Sequence, residues 1–220
     1  MADTITHAAA REAVMQTAQA MSAKGLSPQR SGNVSVRLED GSGIIVTPTG
    51  IAYDAYAPAD MVKLAMDGTP GEGEKKPSSE APFHLAIYHA FPDAKAIVHC
   101  HSMAATALAC ARKEIPAFHY MVAVAGGAKI PLASYATFGS EELAESAVNA
   151  MQGGYKACLL ANHGQIAWAG TLSKALELAA EVETLARQYI DFLQIGGGQI
   201  LDNGEMSRVI AKFKGYGKQA

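Results

Sequence analysis

Two histidines separated by one residue, His99 and His101, are the residues of this chain best suited to do chemistry. They follow the apolar run Ala96-Ile97-Val98, which predicts a buried strand. Side chains alternate between the two faces of a strand, so both imidazoles should point the same way, with Cys100 turned away. Two neutral imidazoles on a rigid element are a good start for a divalent metal site, although two polar residues at a strand end explain the pattern equally well.

A third histidine, His163, lies in the short segment Asn162-His163-Gly164 between two apolar runs that predict strands. Gly164 permits an unusual backbone path in such a turn. Taken alone, His163 is more simply a turn residue. Combined with His99 and His101, it makes a set of three histidines that leaves one coordination position open, as catalytic zinc sites do.

Three short clusters of hydroxyl, amide and glycine residues accompany the histidines: Ser31-Gly32-Asn33, Thr47-Pro48-Thr49-Gly50 and Ser78-Ser79-Glu80. The third cluster begins a predicted helix, where free N–H groups attract anions, but Ser79 also fits an ordinary N-cap. The other two could cradle phosphate oxygens or simply form turns. One chain contains three such clusters, three histidines and the Glu80 carboxylate. This combination favours a functional site over a set of unrelated turns.

Composition narrows the class of protein. The chain has 220 residues, of which 49% are hydrophobic and 18% charged, and this is typical of a folded globular protein. A net charge of −3 argues against binding to nucleic acid. The three cysteines lack a disulfide framework, and we read neither a leader nor a membrane span in the sequence, so a cytoplasmic location is expected.

The elements that must position these residues are helices and short strands without a regular βαβ rhythm, which predicts a single layered α/β domain. Ser102 and Ser140 are expected N-caps, and His84 and His89 are interpreted as structural residues of a helix. Helices are predicted over residues 5–24, 79–91, 103–113, 141–151, 172–193 and 209–213, and strands over 34–37, 43–46, 96–101, 157–160 and 165–168.

The order of these motifs resembles the class II aldolase/adducin family over nearly the whole chain, most closely its L-fuculose-1-phosphate aldolases. The segments His119-Tyr120-Met121, Tyr135-Ala136-Thr137-Phe138-Gly139 and Lys212-Phe213-Lys214 extend the resemblance. It implies one three-layer α/β domain over residues 1–220, with a central, mostly antiparallel sheet flanked by helices.

By this resemblance, His99, His101 and His163 bind one divalent metal per subunit. Zinc is favoured, with manganese, cobalt or iron as alternatives. Glu80 lies beside the metal, can ligate it when the site holds no substrate, and swings away to act as a base. Tyr120 reaches the site from a neighbouring subunit of a homotetramer and donates a proton.

The resemblance also assigns the two ends of the substrate. The residues expected to hold its phosphate are Asn33, Thr49, Gly50, Ser78 and Ser79. The residues expected to close over the aldehyde end are Phe138, Phe213 and Tyr216.

The implied activity is that of a lyase. A metal-dependent aldolase would reversibly cleave fuculose-, 5-deoxyribulose- or 5-methylthioribulose 1-phosphate to dihydroxyacetone phosphate and an aldehyde, in carbohydrate metabolism or methionine salvage. Related alternatives are a pentulose-5-phosphate 4-epimerase, which typically has aspartate where Glu80 stands, and a methylthioribulose-1-phosphate dehydratase. A non-catalytic adducin-like scaffold is the least favoured, because all three histidines and Glu80 are present.

Overall fold

A seven-stranded sheet forms the middle of the protein in the computed structural model, which describes residues 7–213. Its strand order is β3-β2-β1-β4-β9-β8-β7, and all neighbours are antiparallel except the parallel pair β7 and β8. The expectation of a mostly antiparallel central sheet is confirmed. The strands, including the separate pair β5–β6, are β1 Asn33–Arg37, β2 Ile44–Val46, β3 Val62–Leu64, β4 Ala96–Cys100, β5 Ile115–Pro116, β6 Lys129–Ile130, β7 Leu132–Ala133, β8 Ala157–Leu160 and β9 Gly164–Ala169.

Helices cover both faces of the sheet, which gives the expected three layers. Successive residues of β4 enter different cores: Val98 packs with α1, α3 and α5, whereas Ile97 packs with α2 and α4. This alternation follows from the pleat of a strand that is covered on both sides. The helices are α1 Ala8–Ala23, α2 Ala81–Ala90, α3 Met103–Cys110, α4 Glu141–Ala150, α5 Leu172–Gln194 and α6 Asn203–Phe213.

The sequence predicts the N-cap position of two helices correctly and that of a third wrongly. Ser140 accepts a hydrogen bond from the Leu143 N–H at 3.2 Å, as predicted. Ser102 occupies the N-cap position of α3 without capping it, because the Glu183 carboxylate accepts the first free N–H groups of that helix. Ser79 is not the cap of α2, since Glu80 holds that position.

The elements that the sequence pattern missed are short or begin early. Strands β3, β5, β6 and β7 have only two or three residues each, too few to show a period. Helix α6 begins at Asn203 rather than near residue 209. None of the helices within the described residues has the length and apolar character needed to cross a membrane.

Candidate active site

Three histidines and one glutamate converge on a single point beside the central strand β4. His99, His101, His163 and Glu80 each offer one ligand atom, and these four atoms lie within 4.8 Å of one another. The Nε2 atoms of His99 and His101 are 3.1 Å apart. Glu80 Oε2 lies 3.2 Å from His99 Nε2, and its Oε1 lies 3.0 Å from His163 Nε2. The predicted metal set is therefore brought together by the fold.

The donor set fits a divalent metal. Tetrahedral ligands held about 2.0–2.1 Å from zinc lie roughly 3.3 Å from one another, close to the observed separations. Burial, together with the charges of His99 and His163, lowers the pKa of His101 to about 3, which keeps that imidazole in the neutral form that a metal ligand needs. Burial alone would raise the pKa of Glu80, but the adjacent His99 and the hydrogen bonds from His163 and His99 hold it well below its usual range. Glu80 is therefore a carboxylate.

Backbone pairing fixes the direction in which His99 presents its ligand atom. His99 lies on β4 opposite Ile166 of β9, and its Nδ1 donates to the Gln165 carbonyl at 2.8 Å. With Nδ1 held by this bond, His99 can turn the lone pair of Nε2 toward a metal once the proton that Nε2 shares with Glu80 has left. The Gln165 side chain is itself held, because its amide nitrogen donates to Ser102 Oγ at 2.7 Å and to the Ala179 carbonyl at 3.0 Å.

In the turn that carries His163, the unusual backbone angle was expected at Gly164 but is found at another residue. Asn162 adopts the left-handed conformation, with φ of 54°, and Gly164 does not. Gly164 is required for a different reason: a Cβ atom there would lie 2.5 Å from the Cys100 carbonyl oxygen and 2.9 Å from the His101 ring. A glycine therefore lets the two ligand-bearing segments approach each other.

Buried hydrogen bonds support Glu80 from behind. Asn33 Nδ2 donates to Glu80 Oε2 at 2.8 Å, so its Oδ1 must accept from His84 Nε2 at 2.6 Å. The other ring nitrogen of His84 then accepts from Ser35 Oγ at 2.7 Å, and Ser35 lies 2.8 Å from the Tyr88 hydroxyl. Burial lowers the pKa of His84 to about 3, in agreement with this neutral tautomer.

One cavity of about 330 Å³, here called the metal cavity, opens above the cluster. Its walls include Glu80, His101 and His163, whereas His99 lies fully buried behind them. Tyr135 and Phe138 lie at the same cavity and are largely exposed. All five residues predicted to hold phosphate line it as well: Asn33, Thr49, Gly50, Ser78 and Ser79.

Comparison with known proteins assigns the family. Residues 12–190 match the profile described as class II aldolase and adducin N-terminal domain. The chain belongs to the class II aldolase and adducin family. Class II aldolases use a divalent metal, and the cluster of Glu80 with the three histidines is able to bind one.

Individual class II aldolases resemble this chain along almost its whole length. A Rhodospirillum rubrum protein named 5-methylthioribulose-1-phosphate/5-deoxyribulose-1-phosphate aldolase is 47% identical over 212 residues, covering 96% of this chain and 94% of the relative. The L-fuculose phosphate aldolase of Escherichia coli K12 is 45% identical over 205 residues, covering 93% and 94%. A solved structure of an L-fuculose 1-phosphate aldolase superimposes with a TM-score of 0.90 at 37% identity, covering 94% and 96%.

Two of the remaining predicted residues lie apart from the metal cavity of their own chain. Tyr120 and Phe213 line a separate cleft of about 810 Å³, here called the aromatic cleft, between residues 118–120 and α6. Their ring centroids are 6.4 Å apart, and 47% of the Tyr120 surface is exposed. Tyr216, also predicted for the aldehyde end of this class II aldolase, lies outside the described residues.

Some residues of the site were missed by sequence reasoning. Arg30 precedes the predicted Ser31-Gly32-Asn33 cluster by one position and lines the metal cavity. The interpretation of His84 as a structural residue is confirmed, since it is buried and hydrogen-bonded, but its particular task of holding Asn33 against Glu80 was not predicted. Arg30 could have been found as a cation adjoining a phosphate motif, whereas the contact of His84 with Asn33 depends on how α2 packs on β1.

Proposed function

We propose that this chain is a metal-dependent aldolase that reversibly cleaves a ketose 1-phosphate to dihydroxyacetone phosphate and an aldehyde. The observation that carries the proposal is the joining of two predicted sites in one cavity. A ligand set for a divalent metal lies at its base, and five uncharged residues suited to phosphate lie on its walls. The names of the two relatives reported above, both aldolases of phosphorylated ketoses, support the same reaction.

The metal, for which three imidazoles and a carboxylate favour zinc, would supply Lewis acidity to stabilise the negative charge that develops on the ketose oxygens during cleavage. His99, His101 and His163 would hold it. The Gln165 carbonyl orients His99 for this task. Such orienting hydrogen bonds typically contribute about ten- to a hundredfold to metal affinity or activity.

Glu80 is proposed as the group that moves a proton at the substrate carbon. In cleavage, a proton leaves the hydroxyl at carbon 4, the bond between carbons 3 and 4 breaks, and carbon 3 gains a proton. Glu80 lies at the edge of the metal cavity as a carboxylate, so in the direction of synthesis it can accept the proton that leaves carbon 3. In cleavage the proton released from the carbon 4 hydroxyl passes through Tyr120 and water to Glu80, which then gives it to carbon 3. To do so it must leave its contacts with Asn33 and the histidines.

Tyr120 is proposed as the group that handles the proton of the carbon 4 hydroxyl. Its ring lines the aromatic cleft rather than the metal cavity of its own chain. We therefore propose that it serves the metal cavity of a neighbouring copy in a homotetramer, with active sites at the subunit interfaces. Its exposed ring is consistent with a place at such an interface.

The substrate is proposed to bind with its phosphate among Asn33, Thr49, Gly50, Ser78 and Ser79. Binding at this end would position the reacting carbons over the metal. Phe138, which lines the metal cavity, together with Phe213 and Tyr216, would enclose the aldehyde end, where an apolar tail such as methyl or methylthiomethyl fits these aromatic side chains. The three cysteines are free, which agrees with the proposed cytoplasmic location.

The deciding experiment measures release of dihydroxyacetone phosphate from fuculose, 5-deoxyribulose and 5-methylthioribulose 1-phosphates, with and without chelator. The expected result is chelator-sensitive release, and the relative kcat/KM values then identify the aldehyde partner. Metal-replete protein that releases none from any of the three would overturn the proposal in favour of a 4-epimerase or dehydratase. A pure preparation without metal would favour a scaffold.

A further inference from the structure

The phosphate end of the metal cavity lacks positive charge among the residues predicted to bind there. A phosphate monoester carries close to two negative charges at neutral pH. Asn33, Thr49, Gly50, Ser78 and Ser79 offer hydroxyl, amide and backbone groups, all of them uncharged. The proposed metal would bring its two positive charges to the base of the cavity, where the ketose oxygens would bind, so a cation at the phosphate end would stabilise the dianion further.

Arg30 is the one arginine or lysine among the described residues that line this cavity. Its side chain is exposed, and its Nη1 donates to the Gly50 carbonyl at 3.1 Å. That bond ties the guanidinium to a residue of the predicted phosphate set while leaving its other N–H groups available. The preceding residue, Gln29, has a left-handed backbone with φ of 64°, an uncommon conformation that directs the chain at this point.

We propose that Arg30 binds the substrate phosphate directly and supplies the positive charge that the predicted phosphate residues lack. The inference rests on the proposed function, because it assigns a further residue to the same substrate. A guanidinium presents paired N–H groups that match two phosphate oxygens, so it binds phosphate in a fixed orientation as well as by charge.

The guanidinium of Arg112 lies near the cavity but does not take the place of Arg30. The Cζ atom of Arg112 lies 6.0 Å from the centroid of the Tyr135 ring, and Arg112 is not among the residues that line the cavity. Arg112 therefore contacts a residue of the cavity wall, whereas Arg30 itself lines the cavity.

The test compares Arg30→Gln and Arg30→Lys with the wild type, all loaded with metal. Arg187→Gln is the matched control, because Arg187 is an exposed arginine on α5 that does not line the cavity. Calorimetric titration with inorganic phosphate gives a Kd that does not depend on turnover. Steady-state kinetics with the best ketose 1-phosphate give KM and kcat separately.

For Arg30→Gln we expect the phosphate Kd and the KM to rise about ten- to a hundredfold, with kcat within about threefold, because a charge-assisted contact to a non-reacting group is lost. The phosphate Kd and the KM of Arg30→Lys should lie between those of the wild type and Arg30→Gln, since lysine keeps the charge but lacks the paired N–H groups of a guanidinium. Arg187→Gln should match the wild type.

The proposal is overturned if Arg30→Gln leaves both constants within about twofold of the wild type, or if Arg187→Gln weakens phosphate as much. Failure of the proposed function looks different. A wild type that cleaves no ketose 1-phosphate would refute the aldolase assignment, while the phosphate titrations would still decide whether Arg30 is an anion-binding residue.

Discussion

The metal cavity and the aromatic cleft differ in how firmly the chain holds their side chains. His99 is fully buried and Glu80 is 6% exposed; Asn33 of β1 donates a hydrogen bond to Glu80, and the Gln165 carbonyl of β9 accepts one from His99. Tyr120 belongs to a short 3₁₀ segment and is 47% exposed. Helix α6, the other wall of the aromatic cleft, buries only Met206 fully.

This difference separates what one chain can do alone from what it cannot. The predicted metal ligands, the predicted phosphate residues and Phe138 meet within a single copy of the chain, whereas Tyr120 and Phe213 lie at a separate cleft. Metal binding should therefore be a property of the folded subunit, whereas turnover should depend on contact between copies. The following experiments test that division.

Removing a metal ligand should have the largest effect. His101→Ala deletes one imidazole from a site within a single subunit, so metal and activity should be lost together. We expect the rate to fall by about a thousandfold or more, because charge stabilisation at the reacting oxygens disappears. Metal analysis and kcat are measured on the same sample. An active, metal-replete variant would contradict the ligand assignment.

Glu80→Gln should separate binding from turnover. The amide keeps the size of the side chain but cannot take up a proton, so kcat should fall about a hundred- to a thousandfold. Metal content and the Kd for inorganic phosphate should stay near the wild-type values. A variant that turned over at the normal rate would show that another group acts as the base.

Tyr120→Phe should lower kcat by about ten- to a hundredfold. A second copy of the chain that carries an intact Tyr120 should restore activity in mixed oligomers. When Tyr120→Phe is co-expressed with His101→Ala, mixed oligomers combine an intact metal site with an intact Tyr120 from the neighbour. Random mixing restores about a quarter of the wild-type sites. If activity does not rise above that of Tyr120→Phe alone, despite proven mixed oligomers, Tyr120 does not serve the neighbouring site.

Phe213→Ala should change the choice of aldehyde more than the affinity for phosphate. Loss of an apolar surface at the aldehyde end should shift the ratio of kcat/KM between 5-methylthioribulose and fuculose 1-phosphates by about tenfold. The Kd for inorganic phosphate, measured alongside, should stay constant. Unchanged substrate ratios would remove Phe213 from the aldehyde end.

The smallest effect concerns the buried support of the metal cavity. The pKa of His84 is lowered to about 3 by burial, so below pH 6.5 the unfolded chain binds a proton that the folded chain does not. Stability should therefore fall as the pH drops from about 6.5 towards 3. The free energy of unfolding is measured in urea on metal-free protein. Its decrease between pH 7 and pH 5 should be smaller in His84→Gln than in the wild type by about 1–2 kcal/mol. An identical pH dependence in both proteins would mean that His84 is not held neutral.

The parts of the fold that the sequence predicts are those with long local patterns. The apolar runs of β4, β8 and β9 and the long helix α5 were recognised because burial repeats along them. Helix α6 was recognised only at its end, although Asp202 three residues before Glu205 is a helix-start signal, and its side chain does accept the Glu205 N–H at 2.8 Å.

The candidate site likewise has residues that a local pattern predicts and contacts that no local pattern predicts. The spacing of His99 and His101 is local, and the structure confirms that both face one point. The support of Glu80 by Asn33 and His84 joins β1 to α2 across about fifty residues of chain, and side-chain types alone do not specify such a contact. The place of Tyr120 is less predictable still, since its proposed partner lies on another copy.

The position of β4 as the fourth of seven strands bears on how the protein loses and regains its metal. Hydrogen bonds on both sides protect this strand, so its amides should be among the slowest to exchange with solvent. A bound ion would have a shorter way out, because His101 and His163 line a cavity that is open to solvent. A cell short of metal would therefore keep a reservoir of folded, inactive subunits that recover when the ion returns, without new synthesis or refolding.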